Sequence, residues 1–169
     1  MLKEKIIKDK RGHFLETYNY EVLKGKSNFD FFIQENESFS NKNVIRGMHY
    51  QEEPYSQNKI IRVLSGKIWD IIVDLRPDSL SYLSSYGVEL SQENGKQLFI
   101  PSGFAHGFAV TSNFARVIYK VDKPHMPHFE RGFSPFDPQF NLKWPLLKKD
   151  SILSHKDSNW PLFGNNVKK

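Results

Sequence analysis

The chain has 169 residues, enough for one domain, spanning 1–169, around a single sizeable core. Hydrophobic residues make up 38% and charged residues 25%, which places it with globular chains and away from disordered ones. Its net charge of +5 is scattered along the chain, with small lysine clusters only near the ends, so a diphosphate or a lysine-rich surface fits better than nucleic acid.

Cysteine is absent, which excludes disulfide scaffolds, zinc knuckles and thiol nucleophiles. No apolar run approaches the ~20 residues of a membrane span. Met1-Leu2-Lys3-Glu4-Lys5 lacks the apolar core of a secretory signal. A cytoplasmic protein without a membrane partner is the expectation.

Aromatic residues reach 14%, with 14 Phe and 7 Tyr, which favours strands because flat side chains fit a pleated surface. In chain order, 19–25 reads as a short helix and 28–36 (NFDFFIQEN) as a strand. Segments 58–64 and 67–75, separated by Ser65-Gly66, read as a hairpin ending at Arg76-Pro77. Strands follow at 86–90, 97–100, 106–111 and 116–121, and the last third after Pro145 holds only weak helical signal. Strands every 8–12 residues with Gly, Pro, Asn or Ser between them predict an antiparallel sandwich or barrel. The C-terminal segment is expected to pack outside it.

Four clusters stand out. In 43–51 (NVIRGMHYQ), Arg46 and His49 lie three residues apart, on opposite faces of a regular strand. A bulge or turn at Gly47 redirects both to one site; without it they are surface residues at a strand end. In 100–108 (IPSGFAHGF), a turn leads into His106 at the start of an apolar strand, as core or as site residue. Tyr119 sits mid-strand, where packing in the core is the plain reading. The stretch 154–157 (SHKD) reads by itself as solvated.

Metal chemistry fits poorly. Gln51 stands where a second same-face histidine is expected after His49, and two isolated histidines fall short of three or four protein ligands. No metal and no other cofactor are expected.

Taken together and in order, these clusters resemble the dTDP-4-dehydrorhamnose 3,5-epimerase family of the cupin superfamily. The resemblance runs through 9–16 (DKRGHFLE), 32–36 (FIQEN), 44–51 (VIRGMHYQ), 57–63 (QNKIIRV), 66–76 (GKIWDIIVDLR), 97–108 (QLFIPSGFAHGF) and Trp144-Pro145. It implies an all-β cupin-type jelly roll with a short, less regular C-terminal helical segment. It implies His49 as catalytic base, Tyr119 as acid and Asp157 as the carboxylate that partners the base. Lys59, Arg46 and His106 correspond to residues lining the sugar; Arg11, Glu16, Gln34, Asn36, Glu130 and Lys156 to other ligand contacts. The implied reaction inverts C3 and C5 of a nucleotide-linked 4-keto-6-deoxy sugar, with dTDP-4-dehydro-6-deoxy-D-glucose giving dTDP-4-dehydro-L-rhamnose for polysaccharide biosynthesis. The implied assembly is a homodimer whose N-terminal segment crosses to the partner.

The chain departs from the family's pattern twice. The stretch before Arg11 is short, implying a trimmed first strand. The loop after Tyr119 reads Asp122-Lys123-Pro124-His125-Met126-Pro127-His128 where the family usually has a Tyr-Tyr pair, implying different aromatic contact near the sugar or base. The alternatives are an epimerase inverting one centre of another 4-keto-deoxy hexose or heptose, a ketoisomerase, a non-catalytic sugar-binding cupin and a metal-dependent cupin.

Overall fold

The computed structural model describes residues 2–3, 6–24 and 31–164. Ten strands follow in chain order: β1 (Leu2–Lys3), β2 (Ile6–Asp9), β3 (Gly12–Leu15), β4 (Gln34–Asn41), β5 (Ile45–Gln51), β6 (Lys59–Asp74), β7 (Ser85–Ser91), β8 (Lys96–Ile100), β9 (Phe104–Val121) and β10 (Glu130–Gly132). Two one-turn helices accompany them, α1 (Tyr20–Leu23) and α2 (His155–Ser158). The main sheet runs β1-β8-β6-β9-β5-β10, with β4 on the second half of β9 and β7 on the second half of β6. Every pairing between these strands is antiparallel. The β2–β3 hairpin forms a separate two-stranded sheet.

The expected hairpin at Ser65-Gly66 is not there. Residues 59–74 form one strand of 16 residues, paired with the 18-residue β9 along most of its length. The register shifts on both sides of Ser65-Gly66. Gly66 has a φ of 81°, and a Cβ there would lie 2.0 Å from the Phe114 carbonyl. The Ser-Gly pair therefore marks a bulge where two strands pass too closely for a side chain. For the same reason the two strands expected at 106–111 and 116–121 are halves of β9. The bends divide the sheet into two arms that face each other, which is how so few connections close a jelly roll.

The strand expected at 28–36 begins at Gln34 and continues to Asn41; positions 28–30 lie outside the described residues. Its polar second half is strand because it pairs residue for residue with Phe114–Val121. The helix expected at 19–25 shrinks to α1, capped by the Asn19 side chain. Among the described residues after Pro145, the chain holds a 3-10 turn at Lys148–Asp150 and α2, and is otherwise irregular.

Apolar side chains fill two regions. Between the arms lie Ile61, Val63, Ile68, Leu90, Ile100, Phe108, Val110 and Val117. On the other side of β5, β6 and β9, the C-terminal segment covers Met48, Ile71, Val73 and Ala105 with Phe133 and Phe140. Phe133 is fully buried, with ring centroids 4.7 Å from Phe140 and 5.4 Å from Phe163. Deleting a ring from such a site removes apolar transfer energy and leaves a cavity. Phe133→Ala is expected to cost about 3–5 kcal/mol of stability, read from urea unfolding.

Candidate active site

The β5 strand reaches the site through a distortion. Gly47 has a φ of 123°, and a Cβ there would lie 2.5 Å from the Gly107 Cα on β9. Only glycine lets the two backbones approach this closely. The register shifts between Arg46 and His49 at this point, and both side chains then line one cavity of about 310 Å³. From β9, Val117 and Tyr119 project on one face two residues apart and line the same space. Lys59 enters from β6, His106 from the start of β9, and Lys156 and Asp157 from α2.

A neighbouring cavity of about 280 Å³ shares His49, Lys59, Tyr119 and Glu130 with the first and adds Gln34, Asn36 and His125. The two are chambers of one cleft. His49, Tyr119, Asp157, Gln34, Asn36, Arg46, Lys59, His106, Glu130 and Lys156 all line it.

Arg11 and Glu16 do not. Arg11 lies on the exposed β2–β3 turn and pairs with Asp9 at 2.5 Å. Glu16 follows β3 and accepts a bond from the Asn19 amide at 3.0 Å.

The imidazole of His49 is tied to Asp157 by a 2.5 Å bond between Nε2 and Oδ1. Burial pushes the Asp157 carboxyl up. The bond and charge of His49 outweigh it, with the Ser154 hydroxyl and the Gly47 backbone, and leave it below its usual value. An ionised carboxylate only accepts, so Nε2 carries the proton and Nδ1 is the basic nitrogen. The Ser154 hydroxyl caps α2 by accepting from the Asp157 N–H at 3.0 Å, which fixes where the carboxylate starts.

A second histidine–carboxylate pair lies beside the first. His106 Nε2 meets Asp70 at 2.9 and 3.1 Å, and Asp70 is fully buried. Burial raises the Asp70 carboxyl, while His106 and Lys59 pull it back. Burial also lowers the Lys59 ammonium to about 8, against the opposing pull of Glu130 and Asp70. The Tyr119 phenol is pushed up by burial, with Arg46 opposing and Glu130 adding to the rise, so it keeps its proton at neutral pH. The cleft thus holds an acceptor, a neutral donor and a half-buried cation, the set that proton transfer through an enolate requires.

Residues 1–165 match the family model for dTDP-4-dehydrorhamnose 3,5-epimerase. The chain belongs to this family. A dTDP-4-dehydrorhamnose 3,5-epimerase from Methanothermobacter thermautotrophicus is 41% identical, over 99% of this chain and 91% of the relative. The crystal structure of the Legionella pneumophila 3,5-epimerase with dTDP-4-keto-L-rhamnose is similar at a TM-score of 0.91. It shares 38% identity over 98% of this chain and 87% of the other. ChmJ of Streptomyces bikiniensis, a 3′-monoepimerase in complex with dTDP-quinovose, is similar at 0.87 and 26% identity, over 95% and 81%. The expected all-β, cupin-like fold agrees with the fold of these epimerases.

Along this epimerase cleft the sequence reading missed Ser38 and His125, and behind His106 it missed the buried Asp70. Asp70 carried a signal: Ile68, Asp70 and Ile72 alternate onto the core face, and a carboxylate there requires a partner. His125 comes from the loop that departs from the family's pattern. Gln51 holds that loop on both sides of it, donating to the Pro124 carbonyl at 3.1 Å and accepting from the Met126 N–H at 2.7 Å. The His125 ring reaches Glu130 Oε2 at 3.1 Å.

Proposed function

We propose that this epimerase inverts C3 and C5 of dTDP-4-dehydro-6-deoxy-D-glucose to give dTDP-4-dehydro-L-rhamnose, with His49 as base and Tyr119 as acid. The observation that carries the reading is the shared cleft: a carboxylate-held imidazole and a protonated phenol line one space with a half-buried ammonium. Two centres are favoured over one because 3,5-epimerases match at 33–41% identity and the 3′-monoepimerase at 26%.

The 4-keto group acidifies the C–H bonds on both neighbouring carbons. His49 Nδ1 takes the proton, and the electron pair moves into the enolate with its charge on O4. Tyr119 returns a proton to the same carbon from the other face, which inverts it. Solvent then re-protonates the tyrosinate and takes the proton from the imidazolium. C3 and C5 flank C4, so one set of groups around O4 serves both centres. Asp157 holds the imidazole in its reactive tautomer and stabilises the imidazolium, the logic of hydrolase triads. Lys59, with His106 beside it, faces the developing oxyanion.

The test is turnover in D₂O. Two centres of inversion place a deuteron at C3 and at C5 of the product. A single deuteron identifies a monoepimerase, and none identifies a binding module.

The Lys59 assignment has a pH signature. The ammonium exists below its pKa and is lost above it. The pH dependence of kcat/KM reports the free enzyme. It is therefore expected to fall as pH rises through about 8. Lys59→Gln is expected to lower kcat about 10²–10³-fold, the usual cost of one oxyanion donor, and to erase that limb. A limb that persists in the variant assigns it to another group.

Arg11 and Glu16 are proposed to serve the partner's cleft in a homodimer. Their hairpin stands apart from the main sheet, and Phe14 on it is 68% exposed. An exposed arginine on an arm suits bidentate capture of a diphosphate. The whole chain is read as one epimerase domain. A cytoplasmic site of action, without metal, fits its nucleotide-linked substrate; no described helix is long and apolar enough to cross a membrane.

A further inference from the structure

Gly132 lies directly opposite His49 in the β5–β10 ladder. Side chains at two such positions stand side by side on one face of the sheet. Glycine leaves its half of that place open, and the Trp160 indole occupies it. A Cβ on Gly132 would lie 2.5 Å from Trp160 Cε2 and 2.7 Å from Cδ2. The same indole meets the His49 ring edge-on, with 6.2 Å between centroids and 60° between planes. On its other contact, the Lys156 ammonium lies 5.8 Å from the ring centre.

Trp160 follows Asn159, the C-cap of the helix that carries Asp157. The next residue is fastened in turn: the Ser134 N–H donates to the Pro161 carbonyl at 2.9 Å, tying this segment to the chain leaving β10. The imidazole and its carboxylate come from residues 108 apart in sequence, and one flat ring packs against the imidazole from β5 and against Lys156 of the helix that carries the carboxylate. Trp160 lines neither chamber of the cleft. Its N–H is buried without a partner among the described residues. Hydrogen bonding therefore does not account for an indole here; its volume and flatness do.

We propose that Trp160 is the positioning residue of the His49–Asp157 pair. It blocks the rotation that would take Nε2 away from Asp157, and it keeps water off their bond. The inference rests on the reading of His49 as the base. A small misplacement of a reacting group is enough to cost about 10²-fold in rate.

The test uses Trp160→Ala, Trp160→Leu and Trp160→Phe beside His49→Asn. Each protein is checked for native circular dichroism, then assayed with dTDP-4-dehydro-6-deoxy-D-glucose. The ¹⁵N shifts of the His49 imidazole are recorded in parallel, because a merely structural role leaves them in place. Trp160→Ala and Trp160→Leu are expected to lose roughly 10–10²-fold in kcat with little change in KM. Their imidazole signals are expected to move from one tautomer toward an average of two. Trp160→Phe, which keeps a flat ring without the unpaired N–H, is expected to restore both. Trp160→Leu decides the question if the alanine variant does not fold. Unchanged kcat and unchanged imidazole shifts in a folded Leu or Ala variant overturn the inference. Wild-type turnover in His49→Asn overturns the base assignment beneath it.

Discussion

His49→Asn is expected to lose about 10²–10⁴-fold in kcat and to stop deuterium uptake at both C3 and C5. Asparagine keeps the size and polarity of the residue but offers no basic nitrogen. The Asp157 carboxylate, 2.5 Å from the ring in the native protein, does not substitute for it. Asp157 is 4% exposed and sits in α2 with its N–H held by the Ser154 cap, committed to its partner. Substrate binding should survive, because the cleft keeps Lys59, Glu130 and the amides of Gln34 and Asn36. The discriminating result is therefore loss of exchange with dTDP still bound, measured by NMR in D₂O and by calorimetry.

Tyr119→Phe is expected to lose a similar factor in product formation while keeping exchange at the carbon. The base and the oxyanion pocket are intact in this variant, so the C–H bond still breaks. What is missing is the proton on the far face. The enolate then collects its proton from the imidazolium that made it, with deuterium from solvent, and returns to the starting configuration. Two variants in one cleft thus give opposite ratios of exchange to inversion. If Tyr119 serves only to pack against the buried apolar cluster, both rates fall together or not at all.

The sequence made the chemistry more legible than the shape. Ten of the cleft residues were named through the family resemblance, nine of them within short motifs and Glu130 outside any, because proton transfer tolerates few residue types at each place. The path of the chain was harder. Ser65-Gly66 and Ser112–Phe114 carry turn-like residues where β6 and β9 bend across each other, and a bulge and a turn use the same glycine freedom. The second half of β4 is polar, since only one of its faces meets other protein, so its pairing with β9 was invisible to hydrophobic alternation. Asp70 was hidden for a related reason: its partner His106 lies 36 residues away and meets it only through the strand register. Arg11 and Glu16 were legible as motif residues, but one copy of the chain does not bring them to its own cleft.

The departure after Tyr119 has a structural meaning that the motif comparison did not give. Gln51, two residues beyond His49 on β5, grips the backbone on either side of His125. The same glutamine that argued against a metal site is a clamp on the loop that closes one wall of the cleft. His125 and Lys156 both converge on Oε2 of Glu130. Burial raises the Glu130 carboxyl, and the bonds from Lys156 and His125, with the charges of Lys156 and His49, bring it below its ordinary value. The wall is thereby charged at neutral pH, beside His49 and Lys59.

A crystal structure of the Tyr119→Phe protein soaked with dTDP-4-dehydro-6-deoxy-D-glucose tests the arrangement most directly. The sugar ring is expected between the two side chains, with Nδ1 of residue 49 within about 3–3.5 Å of C3 or C5 and the ring of residue 119 against the opposite face. A sugar bound with both side chains on one face, or held outside the cleft they share, contradicts the account.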